Sequence, residues 1–569
     1  MQLSRTLPPA RTLTSTRALT PTRPPASTRA FAPARTLTSV SARTLTPASA
    51  YTLAPAPARS LAPALCLISL LAFPALPFSA APLSNVPAIP AAPAPLGPLP
   101  SDDQMSWFED ELTMFVHFGM NTFTGLGTGH GDENPNLFAP ARLDCNQWVR
   151  VAGESGFKGI IITAKHHDGF CIWPTDTTAH SVKKSSWRGG KGDVMRELAD
   201  ACHAGGMKLG VYCSPWDRSQ VNYTGDKPAY ARLYRRQLTE LLTNYGPVYE
   251  MWLDGNKADV DDWPNVINLI RRLQPRAVIK QGPRLPEIRE DLRWVGNELA
   301  AAPVNNWNVY PAPDGSPPPT PRDSRPPAGA APIFFPAECD TMMIGQWFWN
   351  DTPPRDLATL LNFYYVSIGR GSILLLNIAP DRDGLISDDT VARLREFRAA
   401  LNSIFDTDLA AGKPATASNI RGAAVSDAYY GPQNALDNRP GTYWTTDDGI
   451  TRASLEVDLG APATFNVIRL EENLRLGQRV SAYQVEAWDT SANDWRVISA
   501  GKTIGHRKLD RIRKTTATKV RLTILDARAC PVLTRFGLHL DTVSPAEHFA
   551  PGFASAEAAP GARLPPLKK

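Results

Sequence analysis

The sequence predicts an α/β fold, a (β/α)8-like (TIM-type) barrel, followed by an all-β sandwich domain. Two observations support this. Between residues 105 and 405, short apolar runs alternate with amphipathic helical runs, which is typical of a parallel sheet covered by helices. Over residues 412–541 the apolar residues instead alternate with polar ones, as at Leu455, Val457 and Leu459. This second pattern is typical of a β-sandwich.

Seven short apolar runs are predicted to be strands of the barrel. They read FVHFG, GIIITAKH, KLGVYCS, YEMWLDG, AVIKQG, LRWVGNE and SILLLNIAP. Amphipathic helices lie between them. Asp193 is placed to cap one helix, and a second, over residues 230–245, is expected to end at Gly246. The Pro-rich residues 311–332 are predicted to form an exposed insertion in the barrel.

Both ends of the chain are predicted to lie outside the folded domains. Residues 1–58 are rich in Pro, Ala, Ser and Thr, and we expect them to be disordered or to precede the true start. Residues 59–82 combine an arginine, an apolar run and small residues, as a signal peptide does. We therefore expect export to the periplasm or the extracellular space. Residues 83–104 are predicted to be a linker, and residues 544–569 a flexible tail.

Charge does not indicate a nucleic-acid partner. The formal net charge is +5, but residues 1–101 contain eight arginines and no acidic residue. The remaining chain has three more acidic than basic residues, which gives no electrostatic footprint for nucleic acid. No run after residue 82 is apolar and long enough to predict a membrane span.

Six cysteines follow the predicted leader, and their spacing includes no CxxC pair. Several of them lie in apolar segments, where small buried thiols are expected. Export would allow a disulfide or two, but the spacing does not pair them.

Several predicted strands end in a side chain suited to chemistry. Because barrel enzymes assemble their sites at the carboxyl ends of the strands, these side chains are expected to converge on one mouth. They are His117, His166, His167, Ser214 with Trp216, Asp254 and Glu298.

Asp254 and Glu298 could form the carboxylate pair that glycoside hydrolysis requires. One would attack the anomeric carbon, while the other would protonate the departing oxygen and then deprotonate water. Glu338 and Asp340 compete with Glu298 for the acid role. Asp254 could instead cap the next helix or pair with an arginine.

The histidines His117, His166 and His167 allow two interpretations. They could hydrogen-bond sugar hydroxyl groups, or they could ligate a metal ion. Adjacent histidines on a strand point to opposite faces, and HxH spacing is absent, so the prediction is no metal ligand. Aromatic residues are also dense at the strand ends, and Trp216 and Trp347 are expected to be exposed for stacking on sugar.

The ordered motifs resemble glycoside hydrolase family 29, the α-L-fucosidases, most closely its plant-like α-1,3/1,4-fucosidase branch. They are MFVHFGMNTFT, GFKGIIITAKHHDGFCIWPT, GKGDVMRELADACHAGGMKLGVYCSPWDR, QLTELLTNYGPVYEMWLDG, FFPAECD and LLLNIAPDRDGLI. The resemblance implies a retaining exo-acting hydrolase of terminal α-L-fucose, with no cofactor. It implies Asp254 as nucleophile and Glu298 as acid/base. Fucose contacts are implied for His117, His166, His167 and Tyr212, and we add Trp216, Trp347 and Glu338 as candidates.

One departure from the family pattern concerns the sugar pocket. A Glu-Trp pair usually follows the NTFT motif, whereas Gly127 and Thr128 stand there in this chain. Strict specificity for L-fucose is therefore open, and His130 or Asp132 could compensate. Two alternatives also stay open: a sugar-binding, lectin-like barrel and a retaining glycosidase for a related sugar. A metallohydrolase using His117, His166 and Asp254 is a further alternative.

The C-terminal region resembles a discoidin-type module similar to carbohydrate-binding module family 32. The motifs NALDNRPGTYWTTDD, ASLEVDLG and ATFNVIRLEE carry this resemblance. It implies either a sugar-binding module or a sandwich that only packs on the barrel.

Overall fold

The computed structural model describes residues 90–220, 225–254, 262–280, 291–316, 329, 331–423 and 427–549. These residues belong to one compact unit, Leu83–Lys569. The predicted disordered start, the signal-like segment and most of the predicted tail lie outside the described residues. So does part of the Pro-rich insertion.

The described residues in the first part of this unit form ten strands. They are β1 Leu112–Val116, β2 Gly159–Lys165, β3 Lys208–Cys213, β4 Glu250–Trp252, β5 Val278–Lys280, β6 Arg293–Trp294, β7 Val309–Tyr310, β8 Ile333–Phe334, β9 Ala337–Met342 and β10 Ile373–Asn377. Eight form one sheet in the order β5-β4-β3-β2-β1-β10-β9-β6, and β7 pairs with β8 in a separate antiparallel hairpin.

The eight-stranded sheet is parallel throughout and nearly closed into a barrel. Its two edge strands, β5 and β6, meet through a parallel bridge between Lys280 and Leu292. The amide of Asp291 also donates to the carbonyl of Ile279 at 2.9 Å. The predicted barrel and its seven predicted strands are thus confirmed, whereas β9 was not predicted.

The helices that accompany the barrel strands are α1 Asp102–Asp110, α2 Met120–Thr124, α3 Cys145–Ser155, α4 Val194–Gly205, α5 Lys227–Asn244, α6 Trp263–Leu273, α7 Leu357–Val366 and α8 Asp388–Phe405. Asp193 caps α4, its carboxylate accepting from the amide of Arg196 at 2.9 Å. Gly246 follows the end of α5 with a φ of 82°, a backbone conformation that favours glycine at a helix end. Both helix-end predictions are confirmed.

Two apolar layers hold the barrel together. Between the strands and the helices lies a large buried cluster that includes Trp148, Ile160, Ile162 and Leu198. Inside the barrel a smaller cluster consists of Phe115, Ile161, Tyr212, Trp252 and Leu375. Because alternate residues of a strand face opposite sides, β2 contributes Ile161 to the interior and its two neighbours to the outer layer.

The C-terminal domain is built from antiparallel strands, as predicted. Its elements are β11 Ala415–Ala417, α9 Asp427–Tyr430, β12 Trp444–Thr445, β13 Ala453–Glu472, β14 Val480–Asp489, β15 Asp494–Gly501, β16 Lys508–Ala527 and β17 Val532–His539. The strand order is β12-β17-β13-β16-β14-β15, with β11 also paired to β13. The long strands β13 and β16 contain register shifts, and such bulges bend a strand. The domain encloses its own core, which includes Trp444, Leu455, Phe465 and Leu522.

Residues 90–101, part of the predicted linker, lie along this C-terminal domain. Arg421 donates to the carbonyl of Ala91 at 2.7 Å, and Arg479 donates to that of Ala94 at 2.7 Å. The amide of Leu96 donates to Leu476 at 3.0 Å. These contacts tie the chain to the C-terminal domain immediately before α1 begins.

Candidate active site

A cavity of about 250 Å³ opens at the carboxyl ends of the barrel strands. The predicted nucleophile, acid/base and fucose-contacting residues line it, whereas the candidates Ser214, Trp216 and Glu338 do not. The lining residues are Phe115, His117, Gly127, Thr128, His166, His167, Tyr212, Trp252, Asp254, Lys280, Trp294, Glu298, Asp340 and Trp347.

Asp254 follows β4 and is held by two side chains, Tyr212 on β3 and His167 in the turn after β2. The Tyr212 hydroxyl donates to Oδ2 of Asp254 at 3.2 Å, and Nε2 of His167 lies 3.2 Å from the same oxygen. Burial, together with the charge of Asp254, raises the pKa of Tyr212 well above its ordinary value. The phenol therefore remains protonated and keeps donating. Asp254 itself is 27% exposed, so its carboxylate is accessible from the cavity.

His167 is oriented by Ser214 and Trp216, which follow β3. Its Nδ1 atom lies 2.7 Å from the hydroxyl of Ser214, which in turn contacts the backbone of Trp216. The Trp216 ring packs against His167, with ring centroids 4.6 Å apart. Trp216 thus supports His167. It is not itself among the described residues that line the cavity.

Both adjacent histidines line the cavity because β2 ends before them. The strand stops at Lys165, and the chain turns at His167 and Asp168, where the amide of Gly169 donates to the carbonyl of His166 at 3.0 Å. The rings of the two histidines are 4.2 Å apart, and His166 stacks on Tyr212 at 5.8 Å. The alternation rule for strands, which would have separated the two rings, does not apply beyond the strand end.

His117 is a neutral hydrogen-bond acceptor in this cavity. Its Nδ1 lies 2.8 Å from Oδ1 of Asn377, and the Asn377 amide nitrogen donates to the Trp347 carbonyl at 2.7 Å. Nδ1 must therefore donate, which leaves Nε2 without a proton. Burial lowers the pKa of His117 to about 3, so the ring stays neutral at ordinary pH.

Glu298 lines the same cavity and lies close enough to the carboxyl group of Asp340 to affect its pKa. Asp340, on β9, accepts from the indole of Trp294 at 2.7 Å. Burial raises the pKa of Asp340 to about 8, the Lys280 ammonium opposes this, and the charge of Glu298 adds to it. Asp340 is 3% exposed, whereas Glu298 is half-buried. Glu298 is thus the more accessible of the two for proton exchange.

Glu338 lies deeper in the barrel, outside the described residues that line the cavity. It is fully buried, and its Oε1 accepts from the indole of Trp252 at 2.9 Å. Burial raises the pKa of Glu338 above its ordinary value, while Lys280 opposes that rise. A carboxyl beneath Trp252 contributes to the polar interior of the barrel and does not face the cavity.

Lys280 is a titratable cavity residue that the sequence did not indicate as functional. It ends β5, is fully buried, and its ammonium lies 2.9 Å from the centroid of the Trp252 ring. Burial lowers the pKa of Lys280, and Glu338, Asp340, Asp254 and Glu250 oppose that shift. A lysine directly after the apolar run AVI was the signal that could have identified it.

Gly127 and Thr128 line the cavity, next to open space. A Cβ atom built on Gly127 meets no atom within 4 Å. His130 and Asp132 are exposed and lie outside the described residues that line the cavity. The predicted compensation by these two residues therefore has no support from their positions.

Metal-ligating clusters and disulfides are both absent among the described residues. These contain no group of three or more His, Cys, Asp or Glu side chains that could hold a metal ion. Their six cysteines are all buried free thiols, so the disulfides that export would allow do not form among them. None of the described helices is long and apolar enough to span a bilayer.

Comparison with known proteins identifies the family of this chain. The chain is 38% identical over 458 residues to Alpha-L-fucosidase 1 of Arabidopsis thaliana, covering 79% of this chain and 88% of the relative. The chain belongs to the α-L-fucosidases of glycoside hydrolase family 29. The α-L-fucosidase family model matches residues 132–403, and an F5/8 type C domain, the discoidin type, matches residues 414–535.

Solved family 29 relatives share the fold over most of the chain. A Ruminococcus gnavus fucosidase of family 29, solved in complex with fucose, is 30% identical with a TM-score of 0.73 and covers 81% of this chain and 98% of its own. A family 29 member from an unknown rumen bacterium is 33% identical with a TM-score of 0.67, covering 81% of this chain and 80% of its own. This protein is therefore an α-L-fucosidase with a discoidin-like C-terminal domain.

Proposed function

We propose that this α-L-fucosidase is a retaining exo-enzyme that removes terminal α-1,3- or α-1,4-linked fucose from oligosaccharides or glycoconjugates. Asp254 is the nucleophile and Glu298 the acid/base. The observation that carries the proposal is that both carboxyl groups line one cavity at the barrel mouth. Double displacement requires two such groups on either side of the scissile bond.

In the first step, a carboxylate oxygen of Asp254 attacks the anomeric carbon. Glu298 donates its proton to the glycosidic oxygen, the bond between that oxygen and the anomeric carbon breaks, and a glycosyl-enzyme forms. In the second step, Glu298 takes a proton from water, and the water oxygen displaces Asp254 from the anomeric carbon. Two inversions leave the configuration of the released sugar unchanged.

The contacts around Asp254 support its role as nucleophile. Tyr212 and His167 both approach Oδ2, which orients the carboxylate. His117 offers an unprotonated Nε2 as an acceptor for a sugar hydroxyl, and Trp347 and Phe115 add apolar surface. Histidine acceptors beside aromatic rings suit a deoxy sugar, which has both hydroxyl groups and a methyl group.

The size of the cavity supports exo action on one terminal sugar. Its volume of about 250 Å³ lies below the roughly 300–1,000 Å³ of pockets that hold drug-sized ligands. A single sugar residue fits this space, and the remainder of an oligosaccharide would extend into solvent beside the half-buried Glu298.

The test measures free fucose after incubation of the full chain with α-1,3/1,4-fucosylated, α-1,2-fucosylated and aryl α-L-fucoside substrates. Asp254→Ala should release none, while the exposed control Glu154→Gln should match the unmutated protein. NMR of the first sugar released should show the α-anomer. Release of the β-anomer would contradict retention, and binding without release would favour the lectin alternative.

Azide distinguishes the candidates for the acid/base. With an activated aryl fucoside, Glu298→Ala should regain turnover in azide and produce fucosyl azide, because azide attacks the glycosyl-enzyme in place of water and needs no general base. Asp340→Asn and Glu338→Gln should show no such rescue. Rescue in either of them, and not in Glu298→Ala, would move the acid/base role to that residue.

We also propose export, with residues 59–82 acting as the signal. Its support is the order of arginine, apolar run and small residues in that segment. Fractionation of expressing cells, followed by N-terminal sequencing of the active protein, tests this. An active enzyme that stays in the cytoplasm with residues 59–82 attached would contradict it.

A further inference from the structure

Two carboxyl groups lie inside the barrel beneath the active-site cavity, Glu250 on β4 and Glu338 on β9. Both are fully buried, and neither belongs to the described residues that line the cavity. Glu250 precedes Trp252 by two positions on β4, and residues two apart on a strand face the same side. Trp252 belongs to the apolar cluster inside the barrel and lines the cavity. Glu250 therefore points into the barrel interior, one layer below Trp252.

Each of these carboxyl groups is held on one oxygen by a tryptophan. The indole of Trp107, on α1, donates to Oε2 of Glu250 at 2.7 Å, and the indole of Trp252 donates to Oε1 of Glu338 at 2.9 Å. The other two oxygens, Oε1 of Glu250 and Oε2 of Glu338, are also buried. If both groups were carboxylates, these oxygens would have no donor among the described residues. Buried polar atoms almost always have a hydrogen-bond partner, so this arrangement requires an explanation.

A proton between the two carboxyl groups supplies the missing hydrogen bond. The side chains of Glu250 and Glu338 are in hydrogen-bonding contact. Burial, together with the charge of Glu338, raises the pKa of Glu250 well above its ordinary value. Burial also raises the pKa of Glu338, but Lys280 and the bond from Glu250 oppose that rise. Because two carboxyl groups in contact within a buried site cannot both stay ionised, Glu250 holds the proton and Glu338 the charge.

The charge of this pair acts on titratable groups in the wall of the cavity. Burial lowers the pKa of Lys280, and the charges of both glutamates oppose that change. Burial raises the pKa of Asp340, and the charge of Glu338 adds to that rise. The titratable groups around the pair and its neighbour Lys280 are Asp340, Asp254 and Tyr249. A single negative charge beneath the cavity therefore helps to keep Lys280 protonated.

Trp252 connects the pair to the residues that hold Asp254. The Lys280 ammonium lies 2.9 Å from the centroid of the Trp252 ring. The same ring lies 5.1 Å from that of Tyr212, whose hydroxyl donates to Asp254. Since the carboxylate of Glu338 fixes the indole of Trp252, Glu338 acts on the cavity through that ring.

We propose that Glu250 and Glu338 share one proton and form a positioning pair, which holds the Trp252 ring and a single negative charge beneath the sugar cavity. Glu250 donates from Oε1 to Oε2 of Glu338. The two tryptophan indoles occupy the outer oxygens, so the proton lies between the two inner ones. The pair touches no substrate, and its effect on fucose release passes through Trp252 and Lys280.

Glutamine substitutions test the shared proton, with kcat/KM for fucose release by the full chain measured against pH. In Glu250→Gln an amide N–H replaces the O–H that faces Glu338, and in Glu338→Gln the amide donates to a Glu250 carboxylate. Each single variant keeps one negative charge and one hydrogen bond between the two side chains. Its pH profile should therefore keep its position, and its kcat/KM should fall by about threefold or less.

The double variant Glu250→Gln with Glu338→Gln should behave differently, because it has no charge and its two amides face each other as donors. Its kcat/KM should fall roughly tenfold or more, as loss of one charge-assisted hydrogen bond predicts. Its pH profile should move to lower pH, because removal of a negative charge lowers the pKa of nearby groups. If this variant does not fold, Glu250→Gln with Glu338→Met removes the same charge without opposing amides and should show the same shift.

The matched control is Glu240→Gln, since Glu240 also accepts from a tryptophan indole, that of Trp173 at 2.8 Å, but lies on α5 outside the barrel. It should leave kcat/KM and the pH profile unchanged. A shift to lower pH in either single variant would overturn the proposal, because both carboxyl groups would then be ionised in the unmutated protein. An unshifted profile in the charge-free double variant would also overturn it, because the pair would then carry no charge. The readout requires fucose release and not the assignment of Glu298, which the azide test decides separately.

Discussion

Oδ1 of Asn377 lies 2.8 Å from Nδ1 of His117 and so determines which nitrogen of that imidazole carries the proton. The direction of the Asn377 amide is itself fixed by its bond to the Trp347 carbonyl at 2.7 Å. His117 directly follows β1, Asn377 ends β10, and these two strands are adjacent in the barrel. The acceptor character of His117 in the cavity is therefore set by its neighbouring strand.

Asn377→Asp should make the enzyme sensitive to acid. A carboxylate beside Nδ1 would raise the pKa of His117 from its value of about 3, so the ring would gain a second proton as the pH falls. Nε2 would then donate where it now accepts, and KM should rise toward acid pH. The measurement is KM against pH for the variant, the unmutated enzyme and the surface control Asn136→Asp. Superimposable profiles for all three proteins would contradict this role of Asn377.

Lys165, the residue before the two active-site histidines, has a structural function. Its ammonium lies 2.9 Å from Oδ2 of Asp217, and both side chains are fully buried. It also donates to Gln237 at 2.8 Å. Burial alone would lower the pKa of Lys165, but Asp217 raises it above the ordinary value.

Lys165→Met should destabilise the protein strongly, since it leaves the Asp217 carboxylate buried without its cation. Removing one partner of a buried ion pair costs about 3–5 kcal/mol of the free energy of unfolding. Lys165→Met combined with Asp217→Leu should recover part of that loss, because no charge is then stranded. Urea unfolding of the three proteins checks both statements. If the free energy of unfolding of Lys165→Met lay within about 1 kcal/mol of that of the unmutated protein, the ion pair would have to be exposed to water in solution.

The Lys165 segment illustrates what the sequence could and could not predict. The apolar run before it identified a buried strand and its end, and thereby the positions of His166 and His167. The pattern could not distinguish Lys165, which points into the packed layer at Asp217, from the histidines that line the cavity. That distinction depends on where the strand stops, and on a partner 52 positions away.

Strand β9 illustrates a different limit. Its polar residues Glu338 and Asp340 lie within the barrel and are buried with tryptophan donors. A strand whose polar residues face inward lacks the apolar run that indicated the other strands. For the same reason the sequence could name these two carboxyls as competitors for the acid role but could not rank them. Depth in the barrel separates them, since Asp340 lines the cavity and Glu338 does not.

Asp340→Asn should change how stability depends on pH. Burial raises the pKa of Asp340 from 3.8 to about 8, so the folded state binds a proton there that the unfolded state releases. The contribution of this group to the free energy of unfolding therefore falls as pH rises between those two values and is constant above about 8. Asparagine does not ionise and can still accept from Trp294, so the variant should lack this decline.

Urea unfolding across that pH range checks the effect. The stability of Asp340→Asn relative to the unmutated protein should increase with pH through the range and then level off. The exposed control Asp200→Asn should run parallel to the unmutated protein. A constant difference between Asp340→Asn and the unmutated protein at every pH would mean that Asp340 has an ordinary pKa in the folded state.

Gly127 lines the cavity and has room for a larger side chain. A Cβ atom there meets nothing within 4 Å, and Gly127 does not have the positive φ that restricts a position to glycine. Gly129, two residues on, is the opposite case. Its φ is +65°, and a Cβ atom would lie 2.6 Å from Cβ of Asp168. The loop can therefore accept a larger side chain at Gly127, which lines the cavity, but not at Gly129.

Replacing Gly127→Glu together with Thr128→Trp should lower KM for fucosylated oligosaccharides without loss of stability. A carboxylate at the cavity wall can accept from a sugar hydroxyl, and a charge-assisted bond of about 1.5 kcal/mol corresponds to roughly tenfold in KM. The indole would cover apolar sugar surface that now faces open space. The measurements are KM and kcat with the α-1,3/1,4-linked substrate, and thermal unfolding. Gly129→Ala is the control and should unfold at a lower temperature, because its Cβ has no room. An unchanged or higher KM in a stably folded double variant would mean that this space accommodates part of the substrate.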